Sequence, residues 1–436
     1  LEIKVVTFLL LQINFRIFTK LAVKKLEISL QKMQKKFLIF KITFLLIFFP
    51  FLGFSNSLNL SENIESTEIS VLTCDPGAQI YSLFGHSALR IKNPKNGHDL
   101  VVNWGLFEFS ENQFQFGYDF AKGRLRYYMG IQLMSNFMVE YRRAKRGVRE
   151  QVLNLSIQEK YKIIQLLEEN YKPENRKYKY EFFYDNCSSR LRDIIKKVFK
   201  ENISFYQSPK SNKFTFRETI HMYLKSFPWL KLGIDLVLGK KIDVLVSNEN
   251  LMFLPLNVEQ IFDQSLVQNN KSNKNLIKSK NTLVESFENK NKLSNIGVYS
   301  WILLGITLLL IVFKLDKALG FWSSLNLFII GLLGIVLVFM WIGTDHNATK
   351  MNFNLLWASP FHFILIYCLI KGSWNNFTYW YLISSLILIF TTILFWFTLT
   401  QEFNSFVKPI ILELVIIYYD YFKKCGFQIN LGKTNG

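Results

Sequence analysis

Apolar positions fall into three patterns along the 436 residues, and each pattern predicts different elements. Near the two ends they run without a break. Ile296–Leu315, Trp322–Ile342 and Thr378–Thr400 are each about twenty residues, the length that crosses a hydrocarbon layer. Leu355–Ile370 is a shorter run with Pro360 near its start, and Phe406–Phe422 is interrupted by Lys408, Glu413 and Asp420. Five spans are expected, or four if the last run does not cross. The middle of the chain alternates like a water-soluble α+β domain. Glu68–Cys74, His86–Ile91, Asp99–Trp104 and Val148–Leu153 read as strands, and Asn93-Pro94-Lys95-Asn96-Gly97 as a hairpin loop between the second and third. Ser156 and Glu159 form a capping box that opens a helix to about Tyr171, ended by Pro173. Leu191, Ile194, Ile195, Val198 and Phe199 recur at helical spacing immediately after Cys187. Gln264–Ser294 is rich in Asn, Lys and Ser and reads as a flexible linker.

These patterns divide the chain into a catalytic-type domain at 56–265, a linker at 266–295 and a membrane domain at 296–425. Ahead of them, Met33 opens a basic Gln34-Lys35-Lys36 segment, followed by the apolar run Phe37–Phe54 and the small residues Gly53 and Ser55. That order predicts a signal peptide or an uncleaved anchor at 33–55, and either one exports the domain behind it. Residues 1–32 are expected to be an upstream extension of the reading frame, with a true but unusual leader as the alternative.

The net charge of +19 changes the picture less than its size suggests. Residues 1–41 hold nine basic groups against two acidic ones, and 271–292 hold six lysines against two glutamates. The excess is not a nucleic-acid-binding face. Lys314, Lys317, Lys371, Lys423, Lys424 and Lys433 flank the apolar runs as the positive-inside rule asks, if the soluble domain lies outside. Thr344–Asn354 then returns to the side of the soluble domain, with His346, Thr349, Asn352 and Asn354 as candidate substrate contacts; a solvated connector is the plainer reading. Glu413, inside an apolar run, points either to a function or to a segment that does not span.

The candidate chemistry rests on two stretches. Phe84-Gly85-His86-Ser87 puts an imidazole at a strand, and Asp185-Asn186-Cys187-Ser188-Ser189 puts a thiol at a helix N-terminus, where unpaired backbone N–H groups favour the thiolate and an oxyanion beside it. Brought together, they would make a nucleophile–base pair. Asn103 is the candidate orienter of the imidazole, with His98 as its rival, and Asn186 and Ser188 are candidate substrate contacts. The order His before Cys suits a circularly permuted papain-like fold. The competing reading is a structural cysteine, or a disulfide between Cys74 and Cys187 in an exported domain. The four cysteines have no metal-ligand spacing, and no cofactor is expected.

Leu72-Thr73-Cys74-Asp75-Pro76-Gly77, Phe84–Arg90, Asn103–Phe109, Lys122–Leu125, Tyr141-Arg142-Arg143 and Pro173–Arg190 resemble the Lnb N-terminal periplasmic domain. His346–Thr349 and Asn352–Trp357 are similar to the membrane region of the same family. Trp104 and Ser189 depart mildly from its pattern. The resemblance implies a permuted papain-like domain, of the NlpC or lecithin:retinol acyltransferase type, in the periplasm, followed by an α-helical transmembrane bundle in the bacterial inner membrane. It implies a lipoprotein N-acyltransferase that moves an acyl chain from a phospholipid, through a Cys187 thioester with His86 as base, to the α-amine of a diacylated lipoprotein. The alternatives are a membrane-anchored papain-like cell-wall hydrolase and a non-catalytic membrane scaffold.

Overall fold

The computed structural model describes residues 62–107, 112–269, 272–286 and 295–434. The leader read at 33–55 and the extension at 1–32 lie outside the described residues.

Seven strands form one antiparallel sheet, in the order β10-β5-β1-β2-β3-β4-β6. They are β1 (Glu68–Cys74), β2 (His86–Asn93), β3 (His98–Phe107), β4 (Arg126–Leu133), β5 (Val148–Leu153), β6 (Lys177–Lys179) and β10 (Ile277–Val284). The centre is the most apolar part: Ile69, Val71 and Leu72 of β1, Leu89 and Ile91 of β2 and Val101 and Val102 of β3 are buried, because helices cover both faces. On one side α2 (Met134–Arg143) packs Met134, Phe137 and Tyr141 over Leu72, Cys74, Ala88 and Val101. From elsewhere, α4 (Cys187–Phe199) lies against β2 and β3, and α8 (Pro255–Asp263) against β1. The capping box at Ser156 forms as expected and opens α3 (Ile157–Tyr171), which packs on α4. A small second sheet joins β7 (Ile203–Ser204), β8 (Leu266–Asn269) and β9 (Ser272–Asn275).

Leu266–Asn269, Ser272–Asn275 and Ile277–Val284 correct the linker expectation. They form β8, β9 and β10, and β10 completes the edge of the main sheet by pairing with β5, from Ile277 opposite Leu153 to Val284 opposite Val148. The composition misleads because an edge strand faces solvent along most of its length. Only its two ends, Ile277 and Val284, are buried, and lysines between them suit an edge that must not recruit other strands. Residues 287–294 lie outside the described segments.

After the sheet come five helices: α9 (Gly297–Val312), α10 (Asp316–Ile342), α11 (His362–Lys371), α12 (Asn376–Leu394) and α13 (Val407–Thr434). Among the described residues, α10 and α12 are long and apolar enough to cross a membrane. The run expected at 355–370 is only partly helical: its helix begins at His362, after Pro360, and Leu355 belongs to a 3-10 turn. That turn region presses on α10, where Gly334 leaves room for the backbone of Ala358 and Ser359. Glu413 is buried, and Thr307, Trp322 and Asn326 all donate to its Oε1, at 2.5, 3.1 and 3.2 Å. Such pairing lets a carboxyl group sit within an apolar helix cluster.

The soluble and helical regions share a buried polar seam. It is built on α5 (Phe216–Leu224) and α6 (Pro228–Val237), with the one-turn α7 (Asn248–Leu251) next in the chain. Arg217, fully buried, pairs with Asp243 at 2.7 Å and donates to the Leu238 and Gly239 carbonyls at the end of α6. Asn352 donates to the carbonyls of Leu236 and Val237, and Asn354 to those of Asp235 and Leu236. The seam holds the loop after α10 against the domain that carries the sheet.

Candidate functional site

His86 heads β2 because the chain turns sharply just before it. Gly85 has φ +82°, and a Cβ there would stand 2.7 Å from the Cys74 carbonyl oxygen. Only glycine takes this conformation without strain and lets the two backbones approach so closely. We expect Gly85→Ala to lower stability by about 1–3 kcal/mol and to displace the imidazole. A melting temperature and a Cys187 reactivity both equal to wild type would contradict this.

Cys187 is the first residue of α4, and Asn186 is its N-cap. Asn186 Oδ1 accepts from the Ser188 and Ser189 N–H groups at 2.8 and 2.9 Å, while the Ser189 hydroxyl accepts from the Asn186 N–H. Asn186 Nδ2 donates to the carbonyls of Phe182 and Phe253. All four hydrogen-bonding positions of the Asn186 amide are therefore filled internally, which corrects its assignment as a substrate contact. The cap also takes two of the N–H groups expected to face the thiol, and the Arg190 N–H goes to the Asn186 carbonyl. That leaves the Cys187 amide as the first-turn donor for an oxyanion. Ser188 is fully buried, and its hydroxyl meets the Ser87 hydroxyl at 2.9 Å, fastening α4 to β2 beside His86. The same hydroxyl lies 3.9 Å from the Cys187 Sγ, so it serves assembly and the thiol, which corrects its assignment as a substrate contact.

The three expected members of the centre come together. His86 Nε2 lies 3.0 Å from Asn103 Oδ1, on the neighbouring strand β3. The imidazole also lies close enough to the Cys187 thiol for each to shift the ionisation of the other. With Nε2 held by Asn103, the other ring nitrogen is the one free to serve the thiol. His98, the rival orienter, heads β3 opposite Asn93, at the far end of β2 from His86. The backbone N–H of Ser87 also supports the thiolate, a contact that sequence reasoning missed although it adjoins the histidine.

Electrostatics follow from this arrangement. Burial by itself would raise the Cys187 thiol, but His86, the Ser87 N–H and the Ser188 hydroxyl outweigh it and bring the thiol below its ordinary 9.0. Burial likewise pushes the His86 imidazole down, and the Cys187 thiolate with Asn103 more than reverses it, to above 6.5. The pair thus favours thiolate and imidazolium. Cys74 behaves oppositely: burial pushes it up to about 12, only partly offset by Tyr141 and Arg146. Cys74 and Cys187 are both free, which removes the disulfide reading. We expect iodoacetamide capture of Cys187 to titrate with a midpoint below pH 9. In His86→Gln, burial persists without the imidazole, so the midpoint moves up from that of wild type. Mass spectrometry of the tryptic peptides across pH measures both, and a wild-type midpoint at or above 9 contradicts the ion pair.

The remaining candidates lie on the loop after α10. His346 Nε2 is 3.2 Å from the Phe120 carbonyl, and Asn347 Nδ2 donates to Glu181, six residues before Cys187. The loop thus docks on the segment that leads into the thiol. Thr349 is buried and donates to the Met340 and His346 carbonyls. Asn352 and Asn354 are buried in the seam described above. These three correct the expectation of substrate contacts: their polar atoms close the loop and join it to α6. Of the four, only His346 keeps part of its surface.

Comparison with known families gives two matches. Residues 55–221 match the Lnb N-terminal periplasmic domain, and residues 291–424 match the Lnb transmembrane domain. No curated protein and no solved structure matches the chain.

Proposed function

The chain belongs to the Lnb family, whose members act in lipoprotein maturation at the membrane, and from that premise we propose that it is a cysteine-dependent acyltransferase. The observation that carries the proposal is the Cys187–His86–Asn103 arrangement, a nucleophile, base and orienter held at a helix N-terminus. It also supports the permuted papain-like reading of the domain, since the imidazole arrives on a strand that precedes the cysteine helix.

The reaction runs in two steps. Cys187 Sγ attacks the carbonyl carbon of a phospholipid ester, and the Cys187 N–H helps to hold the oxyanion. The carbon–oxygen bond breaks, the His86 imidazolium gives its proton to the departing alkoxide, and a lysophospholipid leaves. The α-amine of a diacylated lipoprotein then attacks the thioester while His86 accepts its proton. The carbon–sulfur bond breaks, and the thiolate returns with the imidazolium. Both substrates are lipids in a bilayer, which supports an inner-membrane protein whose sheet domain faces the periplasm. A cell-wall hydrolase would have no use for the matched membrane domain.

The test is mass spectrometry of lipoprotein N-termini from cells with and without the protein. The expected result is loss of the N-linked acyl chain when the protein is absent. Unchanged triacylated N-termini would overturn the proposal.

A further inference from the structure

The helix α1 (Gln113–Lys122) stands out because large aromatic side chains on it stay exposed, with only the Lys122 ammonium of its own last turn over the Tyr118 ring, at 5.6 Å. Phe114 is 82% exposed, Phe120 57% and Tyr118 44%. At 100° per residue, Lys122, Gln115 and Asp119 share one narrow stripe, tied by a hydrogen bond from Gln115 to Asp119 at 3.0 Å. Phe114, Tyr118, Phe120, Gly117 and Ala121 spread over the rest of the circumference. In water such a helix would leave large aromatic surface exposed.

Its position says what covers it. Lys122 Nζ donates to the Gly343 carbonyl at 2.6 Å, and the Asp345 N–H donates to the Lys122 carbonyl at 2.9 Å. The same ammonium lies 5.2 Å from the Phe339 ring. Gly343 is the residue that ends α10, which is among the described helices long and apolar enough to span. The end of a span marks the bilayer surface, so the C-terminal end of α1 is fixed at that level. Phe339 and Ile342, on the last turns of α10, are themselves exposed, so the apolar surface of the span continues onto α1.

We propose that α1 is an interfacial helix, seated with its aromatic face among the lipids of the leaflet that faces the catalytic domain. An amphipathic helix with a wide apolar face and a charged stripe lies in that plane rather than across it. α1 is also the element next after the strand bearing Asn103. The Phe107 ring at the end of that strand lies 5.5 Å from Tyr127, and Tyr127 lies 4.6 Å from Tyr180. These rings connect the root of α1 with the surroundings of Cys187, and form an apolar approach for the acyl chain of a donor lipid. This second part rests on the acyl-transfer reading. The placement of α1 does not.

The experiment uses the full chain with Cys187→Ser, in vesicles of phosphatidylethanolamine and phosphatidylglycerol. Spin labels are placed singly by Phe114→Cys, Phe120→Cys and Gln115→Cys. The labels at 114 and 120 are expected to collide preferentially with oxygen, and the label at 115 with a water-soluble nickel chelate. Preference for the nickel chelate at all three positions would overturn the proposal. So would shielding from both reagents at 114 and 120, which would mean that protein rather than lipid covers the face. These readouts hold whatever reaction Cys187 performs. For the lipid approach, Phe114→Glu combined with Phe120→Glu is expected to lower transfer from vesicle phospholipid about tenfold or more, with turnover of a water-soluble short-chain thioester unchanged. Wild-type transfer from vesicles would overturn that part alone.

Discussion

Cys187→Ala is expected to abolish lipoprotein N-acylation, a loss of at least about a thousandfold, while the protein remains in the membrane at normal abundance. The two halves of this expectation have separate grounds. On the proposed mechanism, activity depends on the Cys187 sulfur as acyl carrier, and Cys74 cannot replace it, being buried with its thiol pushed up to about 12. Folding, by contrast, depends little on that sulfur. The cap of α4 is built from Asn186, Ser188 and Ser189, and the Ser87–Ser188 hydrogen bond docks the helix on β2. Removing that one buried sulfur atom costs about 1 kcal/mol. Quantifying triacylated lipoprotein in cells that carry the variant, beside an immunoblot of membranes, measures both halves. Full acylation by the variant would remove the nucleophile assignment.

The second large effect belongs to His86. His86→Ala takes away the proposed base, and also the imidazole that brings the Cys187 thiol below 9.0. General-base assistance contributes about a hundredfold to ten-thousandfold, and the loss of thiolate adds to it. The residual rate of the variant should therefore rise with pH into the range where an unassisted buried thiol ionises, whereas wild type already holds its thiolate below pH 9. The sign matters here. Burial remains in the variant, so its acid limb moves up and not down. A variant whose pH profile overlays that of wild type would show that the imidazole is not the partner of the thiol.

Much of the sheet could be read directly because its central strands are short, β-branched and bounded by turn residues: β1 and β5 have the expected ends, and β2 and β3 differ from them by a few residues. The helix after Cys187 was legible for a related reason, since its apolar spacing begins where Asn186 can cap it. Other features were hidden by their chemistry. β10 is an edge strand with polar side chains, so its composition imitates a linker, and only pairing with β5 identifies it. Asn352 and Asn354 invited a ligand reading because they lie in a loop between apolar runs. Their partners are carbonyls of α6, more than a hundred residues earlier, which no local pattern reveals. The seam at Arg217 was missed in the same way, because its acidic partners Asp235 and Asp243 are brought to it only by folding. In the centre, the neighbours of the thiol were legible as residue types, but the division of N–H groups between the Asn186 cap and the oxyanion was not.

Acyl transfer through Cys187 is tested by the mass of the Cys187 peptide after purified protein has met phospholipid vesicles without any amine acceptor. An added acyl chain on Cys187 is expected, released by neutral hydroxylamine as a thioester and absent from Cys187→Ala. An unmodified Cys187 in protein that still transfers acyl chains once lipoprotein is added, or an acyl group carried on another residue, would contradict it.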